Sequence, residues 1–524
     1  PDGAELAHLG PMWVLVATIV LLLLGPFVYG RRAEPSAVLA LLGALATAAV
    51  CFWTLPRIRE NAWVGMAPDG AAPMLLADNF SILFALLVSM FLAAVIALWI
   101  FGYRFSIASR SEMHANAPEF FTLLLGSALG MIMMVSTTNL LLIVIAVELA
   151  SLPSYVLAGF NKRHRLGAEA ALKYVLFGGI TSAIMIYGVS ILYGCYQTVD
   201  LAVIARQLAG GAGMGVAPAV GLFALLVGIG FKISAVPFQF WCPDVFQGAA
   251  IEVTTWLSVA SKAAGLGLML RVVGLPAQAG LDEGFAQMLG MAIGLFAALT
   301  CTVGNLAALH QTNIKRLLAY SSIAHAGYMM MAAAILVHVG GAQAHPGFTA
   351  LAGYLFVYLF MNLGAFGVVA MVYWSTGRED LEAFSGLGRR HPYLAVCMAI
   401  CLFSLVGLPP LGGFAAKYWL LISVWGAGLH WLVVVAVLNT AVSLYYYMRV
   451  VRHMFMVESD QPKMSAPIGG LAVVGLCALV ILATGTLAIG TLRNRAEQFS
   501  QRLYLGSPYG AGLTADAQTD QEAD

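Results

Sequence analysis

Fourteen stretches of about twenty apolar residues, separated by charges, Gly or Pro, run along the chain, and each is long enough to cross a bilayer as a helix. They lie near 11–30, 35–56, 76–102, 118–136, 138–158, 169–194, 218–240, 250–273, 285–309, 317–339, 347–374, 392–427, 429–456 and 467–491. The twelfth is too long for one straight span and carries Pro409, Pro410, Gly412 and Gly413. Proline lacks an amide donor and clashes with the preceding turn, so this span is predicted to break inside the membrane. Such a break survives only against protein or a wet cavity. Pro237 interrupts the chain in the same way after Lys232. The fold class is an all-α polytopic membrane protein of about 14 transmembrane helices.

Composition removes the other classes. With 61% hydrophobic and 10% charged residues among 524, a soluble domain is excluded. A net charge of +1, with no Lys/Arg cluster interleaved with aromatics, leaves no nucleic-acid surface. The seven cysteines are scattered without a CxxC pair, so neither zinc nor an iron–sulfur cluster is suggested, and Cys397 and Cys401 read as packing residues. No small-residue cleavage site follows residues 11–30, which read as a retained helix. The polar, acidic stretch Gly506 to Asp524 reads as disordered.

The basic residues give the direction of the spans. Loops after odd-numbered spans hold 15 of the 26, among them Lys162, Lys315, Arg316, Arg378 and Arg449, while even loops and tails hold seven. The positive-inside rule then makes the odd loops cytoplasmic and both termini periplasmic.

The remaining four, Lys173, Lys232, Lys262 and Lys417, stand inside apolar stretches. A lysine at mid-bilayer costs roughly 2.5 to 3.5 kcal/mol, and such residues commonly line ion paths. Lysine, unlike arginine, can give up its proton near neutral pH when desolvated. Glu148, at the centre of the fifth span, is the only carboxylate read as deeply placed, and Lys232 is its expected cationic partner. Lys173 is only a turn or two inside its span and reads as snorkelling to the cytoplasmic surface. His325 lies mid-span between Tyr320, Ser321, Ser322 and Tyr328; a proton relay and a satisfied core histidine are both compatible with that setting.

Pro237 follows Lys232, whereas Pro410 precedes Lys417. Two interrupted helices with lysines in opposite order are the pattern of inverted five-helix repeats. This predicts four segments: 1–116 with three helices, 117–274 and 275–456 as the two repeats, and 457–524 with the last helix and the acidic tail.

The phrases VELASLPSYVLAGF, EAALKYVLFG, FKISAVPFQFWCPDVFQGA, NIKRLLAYSSIAHAGY and FSLVGLPPLGGFAAKY resemble the antiporter-like membrane subunits of respiratory complex I, and among them the N type. The resemblance covers nearly the whole chain. The N type is favoured by the SLPSYVLAGF and EAALKY phrasing, and by the lack of a lateral amphipathic helix after the last span. It implies that Glu148, Lys232, Lys262, His325 and Lys417 carry protons or tune their transfer. It also implies M- and K-type neighbours in a bacterial inner membrane, with NADH, FMN, iron–sulfur clusters and quinone held by partner subunits and no cofactor on this chain. Relatives commonly read PFHxWxPDxYEGAP where this chain has Gln239, Phe246, Gln247 and Ala250. Glutamine cannot carry a proton at neutral pH, so water would replace a histidine relay at 239.

The expected function is proton translocation within an NADH:quinone oxidoreductase. The alternatives are a subunit of a multisubunit sodium/proton antiporter, which shares the scaffold, and a non-transporting scaffold in which the lysines only pin helices.

Overall fold

The structure is a computed structural model that describes residues 9–55, 74–103, 115–162, 164–208, 215–278, 283–339, 345–459 and 461–486. The acidic stretch 506–524 and the far ends of both termini lie outside the described residues. In chain order the helices are α1 (Gly10–Leu24), α2 (Pro26–Tyr29), α3 (Ala33–Thr54), α4 (Asn79–Tyr103), α5 (Ala117–Val135), α6 (Leu140–Ala158), α7 (Arg165–Tyr196), α8 (Leu201–Gln207), α9 (Val216–Ile233) and α10 (Trp241–Gly248). They continue as α11 (Ile251–Gln278), α12 (Glu283–Ala308), α13 (Ile314–Val339), α14 (His345–Thr376), α15 (Leu387–Arg390), α16 (Pro392–Val406), α17 (Gly412–Gly426), α18 (His430–Met456) and α19 (Ile468–Thr486). Among the described residues, thirteen candidate spans are long and apolar enough to cross a membrane, and α16 is a shorter apolar helix. Counting α16 with α17 as one interrupted span gives the fourteen expected.

Both breaks are present, and the seventh span differs from its expected extent. It stops at Ile233 rather than 240, because Ser234 takes a left-handed φ of 65° and the amide of Ala235 bonds back to Gly230 at 2.8 Å. Lys232 therefore stands in the last turn of a half-helix, not near the middle of a continuous one. The twelfth span ends at Val406 and restarts at Gly412. Gly407 closes the first half with φ 91°, a conformation that glycine adopts without strain. The Gly413 amide bonds Ser404 Oγ at 2.9 Å, and a Cβ at Gly413 would collide with the Ser404 carbonyl.

One local structure occurs twice. Asn139 caps α6 and pairs with Asp200 in an antiparallel bridge; Asn313 caps α13 and pairs with Asp380. In each, the amide after the asparagine bonds the carbonyl before the aspartate, Leu140 to Val199 at 2.7 Å and Ile314 to Glu379 at 2.8 Å. The first joins loops after the fourth and sixth spans, the second loops after the ninth and eleventh. Close helix pairing also recurs: Gly130 of α5 meets the α6 backbone at Ala150, and Gly304 of α12 meets α13 at Ala324. Helices α11, α13 and α14 are the most enclosed, with 94%, 89% and 89% of their apolar windows buried. They form the interior on which the polar residues converge.

Candidate functional site

The lysines at the two breaks meet the ends of half-helices. A helix carboxyl end leaves carbonyls unpaired and carries partial negative charge, so a cation is favoured there. Lys232, 2% exposed, sits at that end of α9, and its carbonyl accepts from Ser261 Oγ of α11 at 3.1 Å. Trp241 Nε1 donates to the Phe231 carbonyl at 3.1 Å and stacks on Tyr174 with centroids 4.3 Å apart, which fixes the chain as it turns into α10. Lys417, in the second turn of α17, reaches back to the carbonyls of Leu405 and Val406 at 3.0 and 2.9 Å, and its Nζ lies 4.6 Å from the Tyr328 ring centroid.

Lys262 is different. It is 0% exposed on α11, no atom of the described residues hydrogen-bonds its Nζ, and the ring of Phe246 is 5.2 Å away. A desolvated cation–π contact contributes about 2 kcal/mol, far below the hydration an ammonium loses. Between Lys262 and Lys417 lies a polar series. Ser258 is one turn from Lys262 on the same helix face. Tyr358 donates to the Ser258 carbonyl at 3.4 Å, and its ring is 5.2 Å from that of His325. His325 Nδ1 lies 2.7 Å from the Tyr354 hydroxyl, and the Tyr328 ring stands between His325, whose ring centroid is 6.0 Å away, and Lys417, whose Nζ is 4.6 Å from the Tyr328 centroid.

The structure brings Lys262, His325 and Lys417 into this series, but it does not place Glu148 in an ion pair with Lys232. Glu148 Oε1 instead accepts from Ser182 Oγ of α7, and its charge reaches Lys232 only at longer range. Glu148 is partly exposed, because α6 turns that face outward. A second buried carboxylate, Glu252, stands in the first turn of α11 at the end of its span and is 6% exposed.

Lys173 is partly exposed, as a side chain near the aqueous boundary should be, and it pairs with Glu169 at 2.8 Å and Asp244 at 2.7 Å. Asp244 also binds Arg316 at 2.5 Å, so α7, α10 and α13 are clasped together. Burial alone would raise the Asp244 carboxyl, but hydrogen bonds and charge from Lys173 and Arg316 outweigh it and hold the group below its ordinary value. Lys315, assigned to a loop by its position, is 2% exposed and binds the Ala249 carbonyl and Glu379 Oε1, both at 2.8 Å.

Several polar residues lacked any sequence signal beyond their presence in an apolar run. Tyr446 donates to Asn305 at 3.0 Å and Asn305 to Asn439 at 3.1 Å, and Thr440 lies 3.2 Å from Tyr328, which the sequence did mark beside His325. Asp244 and Lys315 stood in the motifs quoted above, but nothing local told that they would be clasped or buried.

Among known proteins, residues 137–443 match the family model described as NADH:quinone oxidoreductase/Mrp antiporter, TM. The chain is 41% identical over 483 residues to NADH-quinone oxidoreductase subunit N of Anaeromyxobacter sp. (strain Fw109-5), covering 87% of this chain and 89% of that protein. Among solved structures it is similar to a chain of respiratory complex I from Thermus thermophilus with bound aureothin, with TM-score 0.74 and 33% identity, covering 92% of this chain and 99% of that one. A chain of the Mrp complex from Dietzia sp. DQ12-45-1b shares the fold, with TM-score 0.79 at 19% identity and coverage of 97% and 100%.

Proposed function

Because the chain belongs to the NADH:quinone oxidoreductase/Mrp antiporter family of membrane subunits, we propose that it is the N-type subunit of a proton-translocating NADH:quinone oxidoreductase and forms one proton path of that complex. Other membrane subunits of the same complex are its partners. NADH oxidation and quinone reduction take place on partner subunits, which hold the FMN, iron–sulfur clusters and quinone. The chain lies in a bacterial inner membrane with its odd loops cytoplasmic.

The observation that carries this reading is the buried series Lys262, Tyr358, His325 and Lys417, enclosed by apolar helices. A proton from the cytoplasm charges Lys262, crosses through water and the Tyr358 and His325 groups to Lys417, and leaves on the periplasmic side. Lys417 is held on the carbonyls of a broken helix, so a small shift of α16 against α17 changes how firmly it keeps its proton. Displacement of Glu148 relative to Lys232 acts on the other end of the series through charge. Moving one proton against 100 mV needs about 2.3 kcal/mol, a scale that rearranged buried charges reach.

The test is the complex purified with Lys262→Met or Lys417→Met and reconstituted in liposomes. Loss of proton pumping with normal assembly supports the reading. Unimpaired pumping leaves only a scaffold role, and transport that depends on sodium supports the antiporter reading.

A further inference from the structure

A polar cavity of ≈ 300 Å³ opens where the loops after the fifth, ninth and eleventh spans meet the start of α11. All three are loops that the distribution of basic residues assigns to the cytoplasm. Its wall includes Glu252, the ion pair of Lys315 with Glu379, His164, Tyr373 and Gln247. Gln247 cannot bear a proton, and Glu379 is committed to Lys315. Glu252 is the buried carboxylate of this wall, and it faces the Lys315 charge and Trp374.

From that point α11 presents a buried polar face. Glu252, Thr255, Ser258 and Lys262 lie at spacings of three, three and four residues, which keeps them on one side of the helix. All four are buried. Ten residues of helix cover about 15 Å, the distance from the cavity floor to Lys262. The neighbouring Thr254 and Ser261 are tied to the Phe246 and Lys232 carbonyls, so this stripe is a polar line from the cavity to an amine with no hydrogen-bond partner among the described residues.

We propose that Glu252 is the proton-loading residue of this subunit: its carboxylate takes a proton from water in the cavity, becomes the neutral acid, and passes that proton along the α11 stripe to the Lys262 amine. Lys262 becomes the ammonium and Glu252 returns to the carboxylate. The Lys315 ammonium, held in place by Glu379, stands on the same wall as Glu252 and opposes trapping of the proton there. This inference rests on the pumping role of Lys262.

The test uses the whole complex in liposomes, with Glu252→Gln, Glu252→Asp and Lys262→Met compared side by side. Glu252→Gln is expected to slow proton pumping about a hundredfold, the lower end of what a positioned proton-transfer group contributes, and Glu252→Asp to restore most of it. Normal pumping by Glu252→Gln while Lys262→Met abolishes pumping overturns the loading role and leaves the proposed function standing; normal pumping by both overturns the proposed function itself. Equal loss in the Gln and Asp variants marks a structural role and overturns the proposal. Should Glu252→Gln fail to assemble, Ala250→Cys in a Cys195→Ser background decides it: labelling by a membrane-impermeant maleimide from the cytoplasmic face is expected, and protection from that reagent overturns the aqueous route.

Discussion

The side-chain nitrogen of Lys417 lies 2.9 Å from the carbonyl oxygen of Val406, the last residue of the half-helix that precedes its own. The contact ties the two halves of the broken span through one hydrogen bond, and a second runs to Leu405 at 3.0 Å. Lys417→Arg keeps the charge and donors but stays protonated at any accessible pH. It is expected to assemble normally and to lose pumping in liposomes. Lys417→Met leaves both carbonyls without their donor and should also lower thermal stability by roughly 1 to 3 kcal/mol. Pumping by the arginine variant at the wild-type rate would show that Lys417 need not titrate.

The Tyr354 hydroxyl separates two roles for His325. It lies 2.7 Å from His325 Nδ1 in a fully enclosed site. Tyr354→Phe should destabilise the subunit by about 1 kcal/mol, the net value of one hydrogen bond. If His325 passes protons, the pumping rate falls several-fold more than stability accounts for. A variant that melts earlier but pumps normally makes the histidine a core residue.

Glu148 interacts with Ser182 by a hydrogen bond and with Lys232 only through its charge. Glu148→Gln keeps an acceptor for the hydroxyl and removes the charge, whereas Ser182→Ala removes the hydroxyl and keeps the charge. The charge is the functional quantity in this reading, so the glutamine variant should lower pumping strongly and the alanine variant only slightly. The reverse order, measured in the assembled complex, would assign the effect to the hydrogen bond.

The clasp around Asp244 depends on pH in a known direction. Its carboxyl is held below the ordinary value of 3.8, so the clasp is complete above that value and is lost as pH falls below it. Each exposed pair contributes roughly 0.2 to 1 kcal/mol. Asp244→Asn should lower the melting temperature of the detergent-solubilised complex slightly at neutral pH, and the deficit should shrink near pH 3. An equal deficit at both pH values would mean that packing, not charge, holds α7, α10 and α13 together.

The sequence by itself determined the spans and both breaks, and it marked the lysines beside them as candidates. Apolar runs long enough to span a bilayer must become helices, Pro237 and the Pro409 to Gly413 run must interrupt them, and lysines left in such runs are costly enough to be candidates for function. The resemblance motifs identified Glu148, Lys232, Lys262, His325 and Lys417 as candidates before any geometry was known. Tertiary structure alone decided which of them meet. Ser258 and Tyr358 are a hundred residues apart, and no periodicity along either helix encodes their contact. Lys315 counted as a loop cation because it stands beside Arg316 at a span boundary, yet Ala249 and Glu379 close over it. Glu252 is buried because the loops of three other spans wall the start of α11. Burial of a charge at a helix end depends on what other segments pack across it, and hydropathy along one segment does not contain that information.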